Sequence, residues 1–267
     1  MQVHGGNIAE ISRKYNLKAE TIIDFSSNIN PLGYPGALQN ILRKEENCIA
    51  TYPDSDSTEL RKEIAKRIDS DLRTILVGNG STELIYLIPR VIKPKCALIS
   101  APTFSEYEKS LLPIKCELRL FPLKEKDNFK VHIDTVTSLL PKIDILYLCN
   151  PNNPTGKVVC RKDLIFLLKK LKNKKIMLIL DEAFIELTEE NSLVDIAPCS
   201  NNLFILRSLT KFFGLPGLRI GYGIGAGKLM DELEKFRQPW PVNIFAQAAG
   251  TRLIQDKEFK KKSKELL

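Results

Sequence analysis

The chain has 267 residues, 43% of them hydrophobic, enough to bury a sizeable core in one large domain or two small ones. No run of about 18 consecutive apolar residues occurs, and Met1-Gln2-Val3-His4 opens into polar sequence, so a soluble cytoplasmic protein without membrane span or leader is expected. The net charge of +8 is concentrated between Lys169 and Lys175 and between Lys257 and Lys264; with no nucleic-acid reader motif or interleaved aromatics, these read as solvated helix faces rather than a nucleic-acid surface, and the balance suits an anionic cofactor and substrate.

In chain order, a helix is expected from Asn7 to Asn16, followed by Asp24-Phe25-Ser26-Ser27-Asn28-Ile29-Asn30-Pro31, whose composition argues for an ordered loop; together they form an N-terminal arm over residues 1–30. A helix is expected over Thr58 to Ile68, with Asp56 and Glu59 as its N-cap pair. Short apolar runs then recur at Thr74 to Val77, Cys96 to Ser100, Ile143 to Cys149, Lys175 to Leu180 and Leu203 to Leu206, separated mostly by amphipathic segments such as Arg161 to Lys172, with Leu164, Leu167, Leu168 and Leu171 on one face. Continuous rather than alternating hydrophobicity marks strands covered on both faces, which predicts an α/β domain with a mostly parallel sheet flanked by helices. The tail from Lys257 to Leu267 reads as a helix. Six scattered cysteines without C-x-x-C spacing read as buried thiols, and no metal is expected.

In open α/β sheets ligands bind beyond the carboxyl ends of the strands, so the residues after each apolar run are the ones to inspect. Gly78-Asn79-Gly80-Ser81-Thr82-Glu83 is a glycine turn leading into a helix from Leu84 to Val91, suited to a phosphate but equally a plain turn. Asn150-Pro151-Asn152-Asn153-Pro154-Thr155-Gly156 is a rigid turn exposing amides. Asp181-Glu182 ends an otherwise apolar strand, where an ionised group needs a cation or strong donor unless it merely caps a helix. Lys211, in Arg207-Ser208-Leu209-Thr210-Lys211-Phe212-Phe213, is either a surface lysine or one whose lowered pKa suits Schiff-base chemistry.

Taken together, the turn Asn150 to Gly156, the pair Asp181-Glu182, and Ser208, Lys211 and Arg219 at spacings of three and eight resemble fold-type I pyridoxal 5'-phosphate (PLP) enzymes, in the branch containing histidinol-phosphate aminotransferases and L-threonine-O-3-phosphate decarboxylases. The resemblance implies that Lys211 holds PLP covalently and shuttles protons at the substrate carbon, that Asp181 pairs with the pyridine nitrogen, that Asn153 bonds the phenolic oxygen and that Phe104 stacks on the ring. It also implies a phosphate site made of Ser81, Thr82, Ser208 and Arg219, joined by Tyr52 from a neighbouring subunit, hence a homodimer. The implied organisation is an arm over 1–30, a PLP-binding large domain over 31–245, and over 246–267 the start of a C-terminal small domain that is largely missing along with its substrate-binding arginines.

Within that branch, aminotransferases usually carry a tyrosine three residues after the pyridine-pairing aspartate; here it is Phe184. Asp181-Glu182-Ala183-Phe184, the opening His4-Gly5-Gly6-Asn7, the loop Asp24 to Pro31 and Gln238-Pro239-Trp240-Pro241-Val242-Asn243 are similar to the threonine-phosphate decarboxylases. By that resemblance His4 and Asn28 bind the substrate's phosphate, and the activity is decarboxylation of L-threonine O-3-phosphate to (R)-1-amino-2-propanol O-2-phosphate in cobalamin biosynthesis. The alternatives are a histidinol-phosphate aminotransferase and a truncated, non-catalytic remnant.

Overall fold

Seven strands form one sheet in the order β1-β7-β6-β5-β4-β2-β3. They are β1 (Ile75–Asn79), β2 (Cys96–Ala101), β3 (Glu117–Pro122), β4 (Ile145–Cys149), β5 (Met177–Asp181), β6 (Leu203–Ser208) and β7 (Ile220–Ile224), seen in a computed structural model that describes residues 5–267. Only β7 runs against its neighbours: β6 and β1 pair with it antiparallel, and every other pairing is parallel. The expected mostly parallel sheet is present. Five of its strands lie on the five apolar runs, whereas β3 and β7 were not anticipated from the sequence.

Ten α-helices are found among the described residues: α1 (Ile8–Tyr15), α2 (Leu38–Lys44), α3 (Thr58–Ile68), α4 (Gly80–Ile92), α5 (Glu106–Leu111), α6 (Ile133–Ser138), α7 (Arg161–Asn173), α8 (Gly227–Phe236), α9 (Ile244–Leu253) and α10 (Lys257–Leu266). They make two outer layers because successive strand residues point to opposite faces. On β5, Leu178 and Leu180 join one apolar cluster with the leucines of α7 and with residues of α3, α9 and α10, while Ile179 joins the other with α4, α5 and α8. Each fully buried leucine or isoleucine contributes roughly 1.5–3 kcal/mol through removal from water, so the double-sided core accounts for the apolar runs. No helix among the described residues is long and apolar enough to cross a membrane.

Two local expectations are corrected. Asp56 does not cap α3; Asp54 does, accepting from the backbone N–H of Thr58 at 2.7 Å and of Asp56 at 3.0 Å, while Asp56 pairs with Arg237 at 3.1 Å. An acid two residues further upstream serves better because its two oxygens meet two free N–H groups. The helix expected from Leu84 begins instead at Gly80, with Glu83 reaching back to accept from the N–H of Asn79 at 2.6 Å. Ser81 and Thr82 therefore sit in its first turn.

The arm is held by polar contacts. Asn7 caps α1 and α1 buries no residue. Ser26 Oγ accepts from the N–H of Gly6 at 2.8 Å, and a Cβ on Gly5 would lie 1.8 Å from the Ser26 carbonyl oxygen, so glycine alone allows this approach.

Candidate active site

The sheet brings distant parts of the chain to one edge. Register pairs Cys149 with Asp181, Asp181 with Leu206, Ser208 with Gly221, and Asn79 with Ile220, so β1, β4, β5 and β6 end where the reversed β7 begins. Arg219, one residue before β7, thereby joins residues that follow the other strands. A cleft of about 550 Å³ opens there, lined by Gly80, Ser81, Thr82, Phe104, Asn153, Asp181, Ser208, Lys211 and Arg219, among others.

Asp181 closes the floor. Its carboxyl is fully buried on the face covered by α4 and α5; Oδ2 accepts from the Tyr107 hydroxyl at 2.6 Å and Oδ1 from the N–H of Ala183 at 2.9 Å. Burial pushes its pKa up to about 6 although both donors and the nearby Lys211 act to lower it. A cation placed against it would reverse that balance. Glu182 points to the opposite face, as alternation along a strand requires, and forms an ion pair with buried Arg207 at 2.8 Å while accepting from the N–H of Leu193 and the Ser192 hydroxyl. The acidic pair is thus divided: one carboxylate faces the cleft and the other ties β5 to β6 from behind.

Lys211 is half-buried, and desolvation, then the charge of Arg219, holds its pKa below that of free lysine against the pull of Asp181. Of the three asparagines after β4, two are spent on the turn itself. Asn150 exchanges two hydrogen bonds with Val159, and Asn152 bonds Thr103, Pro102 and Thr155. Asn153 alone faces the cleft, and its Oδ1 accepts from the side chain of Asn28 at 3.3 Å, so the arm reaches the mouth. Phe104 stands at the cleft wall, edge-on to Tyr107 with ring centroids 5.7 Å apart.

At the other end, Gly80 has φ +72°, and a Cβ there would lie 2.6 Å from Arg219 Nη2. The guanidinium thus lies against the amino end of α4, where backbone N–H groups and the helix dipole favour an anion. Ser208 Oγ is 2.7 Å from Thr210 Oγ1, which also lines the cleft. Tyr52 does not: it is 77% exposed and stacks on Trp240, with centroids 4.4 Å apart, outside this cleft. His4 lies outside the described residues.

The sequence profile described as aminotransferase class I and II matches residues 20–266. The chain belongs to that family. Threonine-phosphate decarboxylase of Salmonella typhimurium is 38% identical over 255 residues, covering 95% of this chain and 70% of that protein. Among solved structures, the histidinol-phosphate aminotransferase of Clostridium acetobutylicum has 32% identity and a TM-score of 0.84, over 91% of this chain and 73% of that one. The L-threonine-O-3-phosphate decarboxylase of Porphyromonas gingivalis has 31% identity and a TM-score of 0.78, over 90% of this chain and 71% of that one.

Class I and II aminotransferases use PLP, and the cleft fits it. A buried carboxyl facing the cleft, a half-desolvated lysine and an anion cradle at a helix start answer its ring nitrogen, aldehyde and phosphate in turn. Tyr107 and Thr210 line the cleft and Asn30 holds the lysine loop behind it; none was singled out in the sequence. Asn30 is buried, its N–H donating to the Lys211 carbonyl at 3.1 Å and its side chain to the Phe212 carbonyl at 2.8 Å. Its signal was only that of a loop residue.

Proposed function

We propose that the chain decarboxylates L-threonine O-3-phosphate, releasing carbon dioxide and forming (R)-1-amino-2-propanol O-2-phosphate for cobalamin biosynthesis. Phe184 is the observation that carries this reading over transamination. It lines the cleft beside Asp181 and Lys211 and presents a ring without a hydroxyl where aminotransferases of the resembled branch usually place a phenol.

PLP, when bound, supplies an electron sink for the pair left at the substrate's Cα. In this reading Lys211 attaches the cofactor, its lowered pKa leaving more of the amine neutral and nucleophilic. Asp181 holds a proton on the ring nitrogen, Asn153 bonds the phenolic oxygen, and Phe104 covers one ring face. Ser81, Thr82, Ser208 and Arg219 hold the cofactor phosphate. Asn28 at the mouth, with His4, would take the substrate's phosphate and so orient its carboxylate for loss. Lys211, its amine freed when the substrate's amine takes its place on the cofactor, would hold the proton that goes to Cα as carbon dioxide leaves.

The exposed stack of Tyr52 on Trp240 supports a homodimer in which Tyr52 reaches the neighbouring subunit's phosphate site. Six free thiols support a cytoplasmic setting.

The test is carbon dioxide release from L-threonine O-3-phosphate by the PLP-loaded protein, with Lys211→Ala as blank. Release above the blank supports the reading. Amino transfer from histidinol phosphate to 2-oxoglutarate without carbon dioxide release would overturn it in favour of the aminotransferase.

A further inference from the structure

Tyr107 lines the cleft. It stands on α5, is 1% exposed, stacks on Tyr147 with centroids 5.3 Å apart and meets Phe104 edge-on. These two rings fix its plane. Its hydroxyl is 2.6 Å from Asp181 Oδ2, the length of a hydrogen bond from a hydroxyl to a charged acceptor. The same residue thus connects the wall that carries Phe104 to the floor that carries Asp181.

We propose that Tyr107 is a positioning residue for the cofactor: its hydroxyl holds the Asp181 carboxylate turned toward the ring nitrogen and ionised. The proposal rests on reading Asp181 as the partner of that nitrogen. A carboxylate offers about four acceptor directions. Tyr107 takes one on Oδ2 and Ala183 one on Oδ1, which stops rotation about the Cβ–Cγ bond. Burial drives Asp181 toward its neutral form, and the Tyr107 hydrogen bond is the largest force opposing it, ahead of Ala183 and Lys211. The other titratable neighbours do not take its place. Cys149 on β4 is itself pushed up to about 12 by burial, so it is a neutral thiol, and Glu182 adds a repelling charge. Without the Tyr107 hydroxyl, Asp181 takes up a proton at higher pH and loses its hold on a cationic ring nitrogen.

The experiment is equilibrium binding of PLP to the cofactor-free protein, followed by absorbance between about pH 6 and 9. Wild type is compared with Tyr107→Phe, Asp181→Asn, the double variant, and Tyr147→Phe. Tyr147 is the control because it belongs to the same ring stack while Asp181 draws nothing from its hydroxyl. Tyr107→Phe is expected to weaken binding roughly 10- to 100-fold, the range for a hydrogen bond to a charged group, with the loss growing as pH falls. Tyr147→Phe binds as wild type. Asp181→Asn binds weakly, and adding Tyr107→Phe to it changes nothing further, because the hydroxyl acts through the carboxylate. Wild-type affinity in Tyr107→Phe beside weak binding in Asp181→Asn would overturn the proposal alone. So would a Tyr107→Phe loss of equal size in the Asp181→Asn background, or an equal loss in Tyr147→Phe. Wild-type affinity in Asp181→Asn would overturn the reading of Asp181 and the proposal with it.

Discussion

The backbone N–H of Asn30 donates to the Lys211 carbonyl oxygen at 3.1 Å, which fastens the N-terminal arm to the loop that presents the lysine. The Asn30 side chain adds to that fastening, giving Nδ2 to Phe212 O at 2.8 Å and to Ser263 Oγ at 2.7 Å while Oδ1 accepts from the N–H of Leu32 at 3.0 Å. Arm, lysine loop and α10 therefore meet at one buried amide. Asn30→Ala leaves these groups without their partner away from water and is expected to lower stability by about 1–3 kcal/mol. Urea denaturation reads that loss, and PLP affinity falls with it. An unchanged midpoint would mean that the arm is not fastened there.

Asp181 makes the cofactor-free protein less stable at neutral pH. A free aspartate ionises near 3.8, and burial holds this one protonated up to about 6. Between those values the folded chain keeps a proton that the unfolded chain has released, so stability falls as pH rises through the window and levels off above it. The penalty at neutral pH is on the order of 2–3 kcal/mol. Cofactor-free Asp181→Asn buries no charge and is expected to outlast wild type in urea near neutral pH, with the advantage vanishing toward about pH 4. With PLP bound the order reverses, because a cationic ring nitrogen then favours the ionised carboxyl. Equal midpoints for the cofactor-free proteins at every pH would show that Asp181 is not desolvated.

Gly80 answers to two constraints at once. Its φ of +72° is strained for any residue with a Cβ, and that Cβ would stand 2.6 Å from Arg219 Nη2. Gly80→Ala is expected to cost about 1–2 kcal/mol of stability. It also displaces the guanidinium from the helix start, so PLP binding weakens while pyridoxal lacking the phosphate is unaffected. Equal losses for both compounds would place Arg219 outside the phosphate site.

What the sequence revealed depended on how each segment meets the core. Strands buried on both faces, β1, β2, β4, β5 and β6, appear as apolar runs. Edge strand β3 buries only Phe121 and shows no such run. Reading β7 was harder still, because Gly221 and Gly223 interrupt it. The structure explains them: a Cβ on Gly221 would lie 2.3 Å from Ser81 N, and one on Gly223 would lie 2.2 Å from the Phe204 ring. Packing against the start of α4 and the neighbouring strand selects the residues that hide the strand. In the cleft, groups at strand ends were legible because polar residues after apolar runs stand out. Tyr107 and Asn30 act through side chains that come from a short helix and a loop, where only tertiary contacts reveal a partner.

Phe184 supports the sharpest chemical prediction. The Asn153 amide is available to the phenolic oxygen of a bound PLP, and Phe184 brings no second donor. Phe184→Tyr supplies one. A phenol donating to that oxygen favours its negative state, and this state is fully developed only after the proton shared between it and the lysine-linked nitrogen has left. The bound cofactor should therefore lose that proton at lower pH, by about one unit for a hydrogen bond of roughly 1.4 kcal/mol. Absorbance of the loaded protein against pH reads the change without any turnover. A downward shift would establish that position 184 faces the phenolic oxygen, and carbon dioxide release by the same variant would then measure how far the missing donor governs the reaction. An unmoved spectral midpoint would place Phe184 against the ring's far side and remove it from the case for decarboxylation.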